Sequence, residues 1–435
     1  MTVSVPLDAR AGGPDLARGI ALLGIALANL VGWLHGSAWT VLLKQQDASA
    51  ADRVVDVLLA LLVDNRGFPL FALLFGYGIG ILRRRSLERG ERAGRFLRRM
   101  LRRFAVLLAI GLAHAILLFS GDILVGYAVI GMLCALLMTR GRVLLAAAAI
   151  VTLLALGVWG WVDGTVGFGG GTGYAAASAP DYLASIGIRA PDALHGLLLA
   201  PIEEIGLLSP MALGALMARG ALLEDVPAHR RRLGRLTRWG LAIGLLGAVP
   251  LTLVLVLDPA HARLDAEIVL GILGVLHQVS GIAGAVGLAA GAALLAARLD
   301  PRVGLRAPGA DGIVAASTPS SARTSASGSA PGPVGAAMRA VEALGAVSLS
   351  AYLGQSLLCL ALFPPYTLDL GAQLGTAGAA ALVLAGWLLM LPLAELLRRS
   401  GRRGPMERVL RTLAGSSTPR TPRTADARRA RGGAR

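Results

Sequence analysis

Long apolar runs alternate with short polar breaks along most of the chain. Ten of them approach or exceed the roughly 20 residues a helix needs to cross the hydrocarbon of a bilayer. They cover 19–35, 66–82, 104–120, 123–139, 143–161, 193–218, 239–257, 267–297, 341–363 and 372–397. The pattern predicts an all-α fold, a polytopic transmembrane helix bundle of about ten spans. A shorter run at 53–63 carries Arg53 and Asp56, with Asp64 just beyond it, and reads as an interfacial helix on the outer side rather than a span. Arg10 and Arg18 precede the first run as in a signal peptide. The only cleavage-like site is the distant Ala48-Ser49-Ala50, so the run is kept as a first helix.

Charge orients the bundle. Ten Arg lie between Arg83 and Arg103 against Glu88 and Glu91, which marks this break as cytoplasmic. Counting outward, Arg140 with Arg142, the stretch Arg219 to Arg238, the segment 298–340 and the tail after Arg398 fall on the same side. The opposite breaks hold Asp122, Asp163, Asp181, Asp258 and Asp369 and few Arg. An even span count with both termini cytoplasmic satisfies this alternation. The net charge of +16 thus follows from topology and gives no reason to expect a nucleic-acid partner. Basic residues are Arg except at Lys44, the usage of a GC-rich bacterial genome, so the expected location is the bacterial plasma membrane.

Composition agrees, with 55% hydrophobic residues and 57 Gly, which suit helices packed through small residues. Residues 299–338, rich in Ala, Ser, Gly and Pro, are expected to form a disordered cytoplasmic linker, and 412–435 a disordered basic tail. These divide a bundle of the first eight helices, 1–298, from the last two helices at 339–411. Cys134 and Cys359 lie in apolar runs and offer no disulfide framework. No Walker A motif, dinucleotide fingerprint or His-Glu-x-x-His helix occurs, and no metal site is expected. Gly167 to Gly173 has no flanking strands and reads as a flexible outer loop.

Ionisable groups inside spans cost about 2.5–3.5 kcal/mol on insertion scales and are functional candidates by default. At about 1.5 Å rise per residue, Asn29, His114, Glu203, Glu204, His277, Gln278 and Tyr352 lie about 10–18 Å into their runs, near one level. If their faces converge, they enclose a polar chamber. Each also has a structural reading: His114 and His277 as donors to a neighbouring backbone, Asn29, Tyr352, Gln355 and Ser356 as polar glue. Glu203 and Glu204 are adjacent carboxyls flanked by Pro201 and Pro210, where a broken helix frees backbone groups. Asp122 sits in a tight outer turn, either capping the next helix or orienting a His that acts as general base. Arg18 and Asp15 make an i to i+3 pair at the inner mouth of the first helix. The Arg83 to Arg103 run is explained by topology, with a phosphorylated donor as the functional alternative.

Several of these residues recur in a known pattern. Asp15 to Arg18-Gly19, continuing through Gly24 to Asn29, resembles the opening of the YeiB-like bacterial membrane proteins, a domain of unknown function. Phe68 to Phe71 with Phe75-Gly76, Arg102-Arg103 leading to Gly111 and His114, Gly121-Asp122 with Tyr127, Ser348 to Ser356, and Arg403-Gly404-Pro405 with Glu407 and Arg411 follow the family in order and spacing. Its first helix is distantly similar to that of transmembrane acyltransferases, in many of which a His follows the Arg. Here that position is Asn29, which cannot act as a base. A branch with Asn there uses a His farther out, and His35 is the counterpart, at a different spacing.

The resemblance implies a membrane acyltransferase-like protein that moves an acyl group from a cytoplasmic donor, acyl-CoA being one candidate, onto an envelope sugar or lipid. Arg18 would then sit at the donor mouth, His35 or His114 would be the base and Asp122 its orienter. The reading from another class is a transporter or lipid flippase in which Glu203, Glu204 and His277 carry protons or bind cargo. A scaffold without a small-molecule site is the third, and predicts polar residues paired locally.

Overall fold

The computed structural model describes residues 12–264, 266–299 and 332–415. Among these the chain is helix and loop, with one isolated antiparallel bridge between Trp39 and Gln45. The helices are α1 (Gly12–Ala28), α2 (Ala50–Leu62), α3 (Gly67–Glu88), α4 (Ala93–Leu117), α5 (Leu124–Arg140), α6 (Arg142–Thr165), α7 (Tyr182–Glu203) and α8 (Leu208–Arg219). They continue as α9 (Val226–Leu257), α10 (Glu267–Leu299), α11 (Pro333–Ala346), α12 (Ser348–Leu362), α13 (Leu370–Gln373), α14 (Thr376–Arg399) and α15 (Pro405–Leu413).

Each of the ten apolar runs falls on one helix or on a bent pair. Among the described residues, seven helical segments are long and apolar enough to cross a membrane, and up to nine if α7 with α8 (bent by 51°) and α11 with α12 (bent by 90°) each make one span. The remaining run is α5, an apolar helix of 17 residues, shorter than that length. The outward face of α6 identifies the solvent it is built for: Val143, Leu154 and Val158 are 82%, 79% and 61% exposed. Such a face is stable against lipid tails, and the protein is a membrane-spanning helical bundle.

Without a hydrophobic drive between helices in lipid, close backbone contact holds the bundle. In the α3/α8 pair, a Cβ at Gly76 would run into the Met211 carbonyl and one at Gly214 into the Leu73 carbonyl. Gly160 and Gly274 play the same part between α6 and α10. Polar side chains set the ends. Ser49 and Asp52 form a capping box at the start of α2, and Asp181 accepts from the Ala184 amide at the start of α7 at 2.8 Å.

The short run at 53–63 lies on α2, with Val54, Leu58 and Leu62 exposed and Asp56 buried. The expected linker needs a correction at its end: helix α11 begins at Pro333, inside 299–338. Proline's fixed φ suits a first helical turn, and α11 then buries Ala343, Leu344 and Gly345. Gly345 lies against the Asp15 carbonyl of α1, which holds the two helices together. Residues 300–331 lie outside the described residues. The basic tail likewise starts later than expected, since α15 runs to Leu413, and residues from 416 onward also lie outside the described part.

Candidate functional site

The site grows from the turn between α4 and α5. Gly111 lets α4 approach α5 until a Cβ there would touch the Val125 amide and Leu124. The crossing places His114, in the last turn of α4, beside Asp122, just before α5. His114 Nδ1 lies 2.7 Å from Asp122 Oδ1, and its Nε2 lies 2.8 Å from Ser356 Oγ on α12. All three side chains are buried: Ser356 is 5% exposed as a residue, and the His114 and Asp122 side chains are 0% and 2% exposed.

The hydrogen-bond roles follow from chemistry. An ionised carboxylate only accepts, so Nδ1 carries the imidazole proton and donates it to Asp122. Nε2 is then bare and accepts from the Ser356 hydroxyl. The Tyr352 carbonyl is a poorer acceptor for that hydroxyl, at 3.4 Å. Asp122 does both things its position allows, because its Oδ2 accepts from the Val125 amide in the first turn of α5 at 2.8 Å. Tyr352 closes the other side, with its ring 4.8 Å from the His114 ring and its hydroxyl accepting from the Ile123 amide at 3.4 Å. An Asp, His, Ser chain in this order can withdraw a proton from the hydroxyl and stabilise the imidazolium that results.

The turn is braced from α7. Arg189, 2% exposed, donates from Nε to the Ile116 carbonyl at 2.9 Å and from its two terminal nitrogens to the Leu118 and Leu117 carbonyls at 3.4 and 3.3 Å. Its guanidinium neutralises the open C-terminal end of α4. Along α4 runs a groove of about 540 Å³ lined by Ala105, Ile110, His114 and Leu118, with Leu353 of α12 and Met406 of α15 among the other walls. Among the described residues lining it, His114 alone is polar.

Glu204 stays within electrostatic range of Asp122, and the other candidates separate from this centre. His35 follows Trp33, whose ring stacks on Phe119 at 4.7 Å, and Phe119 meets His114 edge-on at 6.5 Å. His35 itself faces Asp369 at 3.9 Å and donates its backbone amide to Gly371. Burial lowers its imidazole below the usual range, opposed by the Asp369 carboxylate. Glu204 lies against Gly126 of α5, whereas Glu203 is exposed and its carbonyl accepts from Trp159 Nε1 at 3.0 Å. Gln355 donates to the Leu22 carbonyl at 3.5 Å. Asn29 opens a half-buried 3-10 turn, Asn29–Gly32. Arg18 pairs with Asp15 at 2.5 Å as the spacing predicts.

His277 belongs to a second buried group. Its Nε2 lies 2.9 Å from the Ala60 carbonyl and its Nδ1 3.1 Å from Asn65 Nδ2, which donates to Asp163 at 2.7 Å. Arg66 and the Lys44–Asp64 ion pair, at 2.9 Å, adjoin it. The polar residues near one level therefore do not enclose a single chamber: His114 and Tyr352 meet at one centre and His277 belongs to another, because helical depth fixes height but not azimuth. Sequence reasoning missed Arg66, Arg189 and the role of Lys44. Lys44 carried a signal as the lone lysine in the chain. Among the described residues, no group of three or more His, Cys, Asp or Glu is placed to hold a metal ion.

Comparison with known proteins agrees with the residue pattern. Residues 328–416 match the family model described as Protein of unknown function (DUF418). The chain is similar to the uncharacterized protein YxaH of Bacillus subtilis (strain 168), 32% identical over 127 residues, which are 28% of this chain and 31% of that protein. An uncharacterized 39.9 kDa protein in the amylase 3′ region of Bacillus acidopullulyticus is 37% identical over 129 residues, 30% of this chain and 34% of its own length. The uncharacterized protein YeiB of Escherichia coli (strain K12) is 32% identical over 126 residues, 28% of this chain and 29% of that protein. The matches thus span about a third of these relatives, and over these parts the chain is similar to YeiB-like, DUF418 proteins. The matched family segment contains Ser356 and Glu407. Glu407 accepts from the Leu349 and Ser350 amides at 2.8 and 3.1 Å and from the Ser350 hydroxyl at 2.5 Å, so it caps the helix that presents Ser356.

Proposed function

We propose that the protein is a membrane acyltransferase-like enzyme of the bacterial plasma membrane, with ten spans and both termini cytoplasmic, that modifies an envelope sugar or lipid. The observation that carries this reading is the buried Asp122–His114–Ser356 chain at 2.7 and 2.8 Å. In it His114 is the general base, oriented by Asp122. His35, outside this chain of bonds, has no base role in the reading. Arg18 and the other basic residues near the opposite ends of the helices serve topology. A transporter or flippase is the alternative, favoured by the buried His277 and Asn65 group.

The test compares envelope lipids and glycans by mass spectrometry in a wild-type, a deletion and a His114→Gln strain. Loss of one acyl mass in both altered strains is expected. An unchanged envelope with altered uptake or efflux would refute the reading in favour of transport.

A further inference from the structure

The groove along α4 has a direction. From Ala105 to Leu118 it extends about 20 Å at the helical rise, somewhat more than half of a hydrocarbon core of about 30 Å. Its size, about 540 Å³, is that of a ligand site, typically about 300–1,000 Å³. Leu117 and Leu413 along it are 45% and 66% exposed, so in a bilayer it opens sideways to lipid. His114 stands near one end, close to the turn after α4, and from there to Ala105 the walls offer no polar side chain.

This polarity decides what fits. An amide-bearing carrier arm threaded from the Arg-rich end would bury unpaired polar groups at a cost of several kcal/mol. An acyl tail laid toward Ala105 places no polar group along that stretch, and its single ester group lies at the His114 end, where His114 holds the Ser356 hydroxyl at 2.8 Å. We infer that Ser356 is a nucleophile acylated by a membrane phospholipid ester whose chain lies in this groove. The inference rests on the acyltransferase reading and adds the donor and a covalent intermediate to it.

The step balances with the groups present. Ser356 Oγ attacks the ester carbonyl carbon as its proton passes to His114 Nε2, and Asp122 stabilises the imidazolium. The tetrahedral oxyanion collapses with cleavage of the bond to the lipid oxygen. His114 returns the proton to that oxygen, which leaves as a lysophospholipid and leaves an acyl ester on Ser356. An acceptor hydroxyl then gives its proton to His114 and takes the acyl group, and Ser356 regains its own proton.

The experiment uses the full chain in phosphatidylethanolamine nanodiscs. In one arm the phospholipid carries an isotope-labelled acyl chain, and in the other the same chain is added as acyl-CoA. After an acid quench, peptide mass spectrometry reads the label on Ser356. A long-chain alkyl fluorophosphonate is applied in parallel, since it marks an activated serine whether or not the acyl ester accumulates. Expected are label from the phospholipid arm and a phosphonyl adduct on Ser356. Both vanish in Ser356→Ala, and the adduct forms about 10²–10⁴-fold more slowly in His114→Gln. An unmodified wild-type Ser356 under both probes, or label from acyl-CoA alone, overturns the inference. A strain with Ser356→Ala that keeps the envelope acyl mass lost in His114→Gln overturns it while the acyltransferase reading stands. A deletion strain with an unchanged envelope removes that reading and this inference with it.

Discussion

Replacing Arg189 by Met tests whether α7 holds the turn that carries His114. The substitution keeps an apolar stem in a buried position and removes the guanidinium. The bond to the Ile116 carbonyl at 2.9 Å is charge-assisted and of good length, which is worth about 1.5–3 kcal/mol. The bonds at 3.3 and 3.4 Å are long, and with the compensation of the helix end they add about 0.3–1 kcal/mol. The total, about 2–4 kcal/mol, falls on local opening of the α4 end rather than on the whole bundle, because all three carbonyls belong to Ile116, Leu117 and Leu118. At 1.4 kcal/mol per factor of ten, amide exchange across residues 112–125 should quicken roughly 30- to 700-fold. Hydrogen exchange with mass spectrometry in nanodiscs measures this peptide directly. Arg189→Lys should recover part of the protection, since an ammonium keeps the charge but not the fork. A change under about threefold in this peptide, or an equal change in every helix, would refute the bracing argument.

Two further outcomes follow from the geometry. Glu407→Ala removes the acceptor of three bonds at the start of α12 and should cost about 0.5–2 kcal/mol, read as a lowered thermal midpoint in detergent, with Glu407→Gln in between. For His35, burial holds the folded-state imidazole below its ordinary value of 6.5, with Asp369 opposing. The unfolded chain therefore takes up the proton first, and the contribution to stability is present above pH 6.5 and lost as pH falls below it. His35→Gln should flatten the fall in thermal midpoint between about pH 7 and 5; an identical pH profile in both proteins would contradict this.

Much of the fold was written in single-residue chemistry. Apolar runs long enough for lipid gave every long helix, and Asp122, eight positions after His114, was legible as its partner because one tight turn joins their helices. Ser356 was visible only as a polar residue on an apolar helix. Its bond to His114 joins positions 242 apart, and such a pairing depends on how α12 is rotated, which hydropathy does not record. The same blindness to azimuth merged two polar groups into one expected chamber. Lys44 shows the opposite failure. Its rarity was attributed to base composition, yet it lies 2% exposed against Asp64 at 2.9 Å, deep where α2 meets α3.

The two groups differ in what their hydrogen bonds end on, and this bears on the choice between enzyme and transporter. Arg66 directs its donors to the Ala60, Asp64 and Gly244 carbonyls, and His277 Nε2 also meets the Ala60 carbonyl. Those contacts tie the end of α2 to α9 and α10. The rest of that group consists of side-chain pairs, with Asn65 donating to the Asp163 carboxylate at 2.7 Å and Lys44 paired with Asp64 at 2.9 Å, so its bonds link helices through charged and amide groups. The Asp122–His114 pair ends instead on a hydroxyl. That group can lose its proton to the imidazole without any backbone displacement, which is the property the proposed acyl transfer draws on.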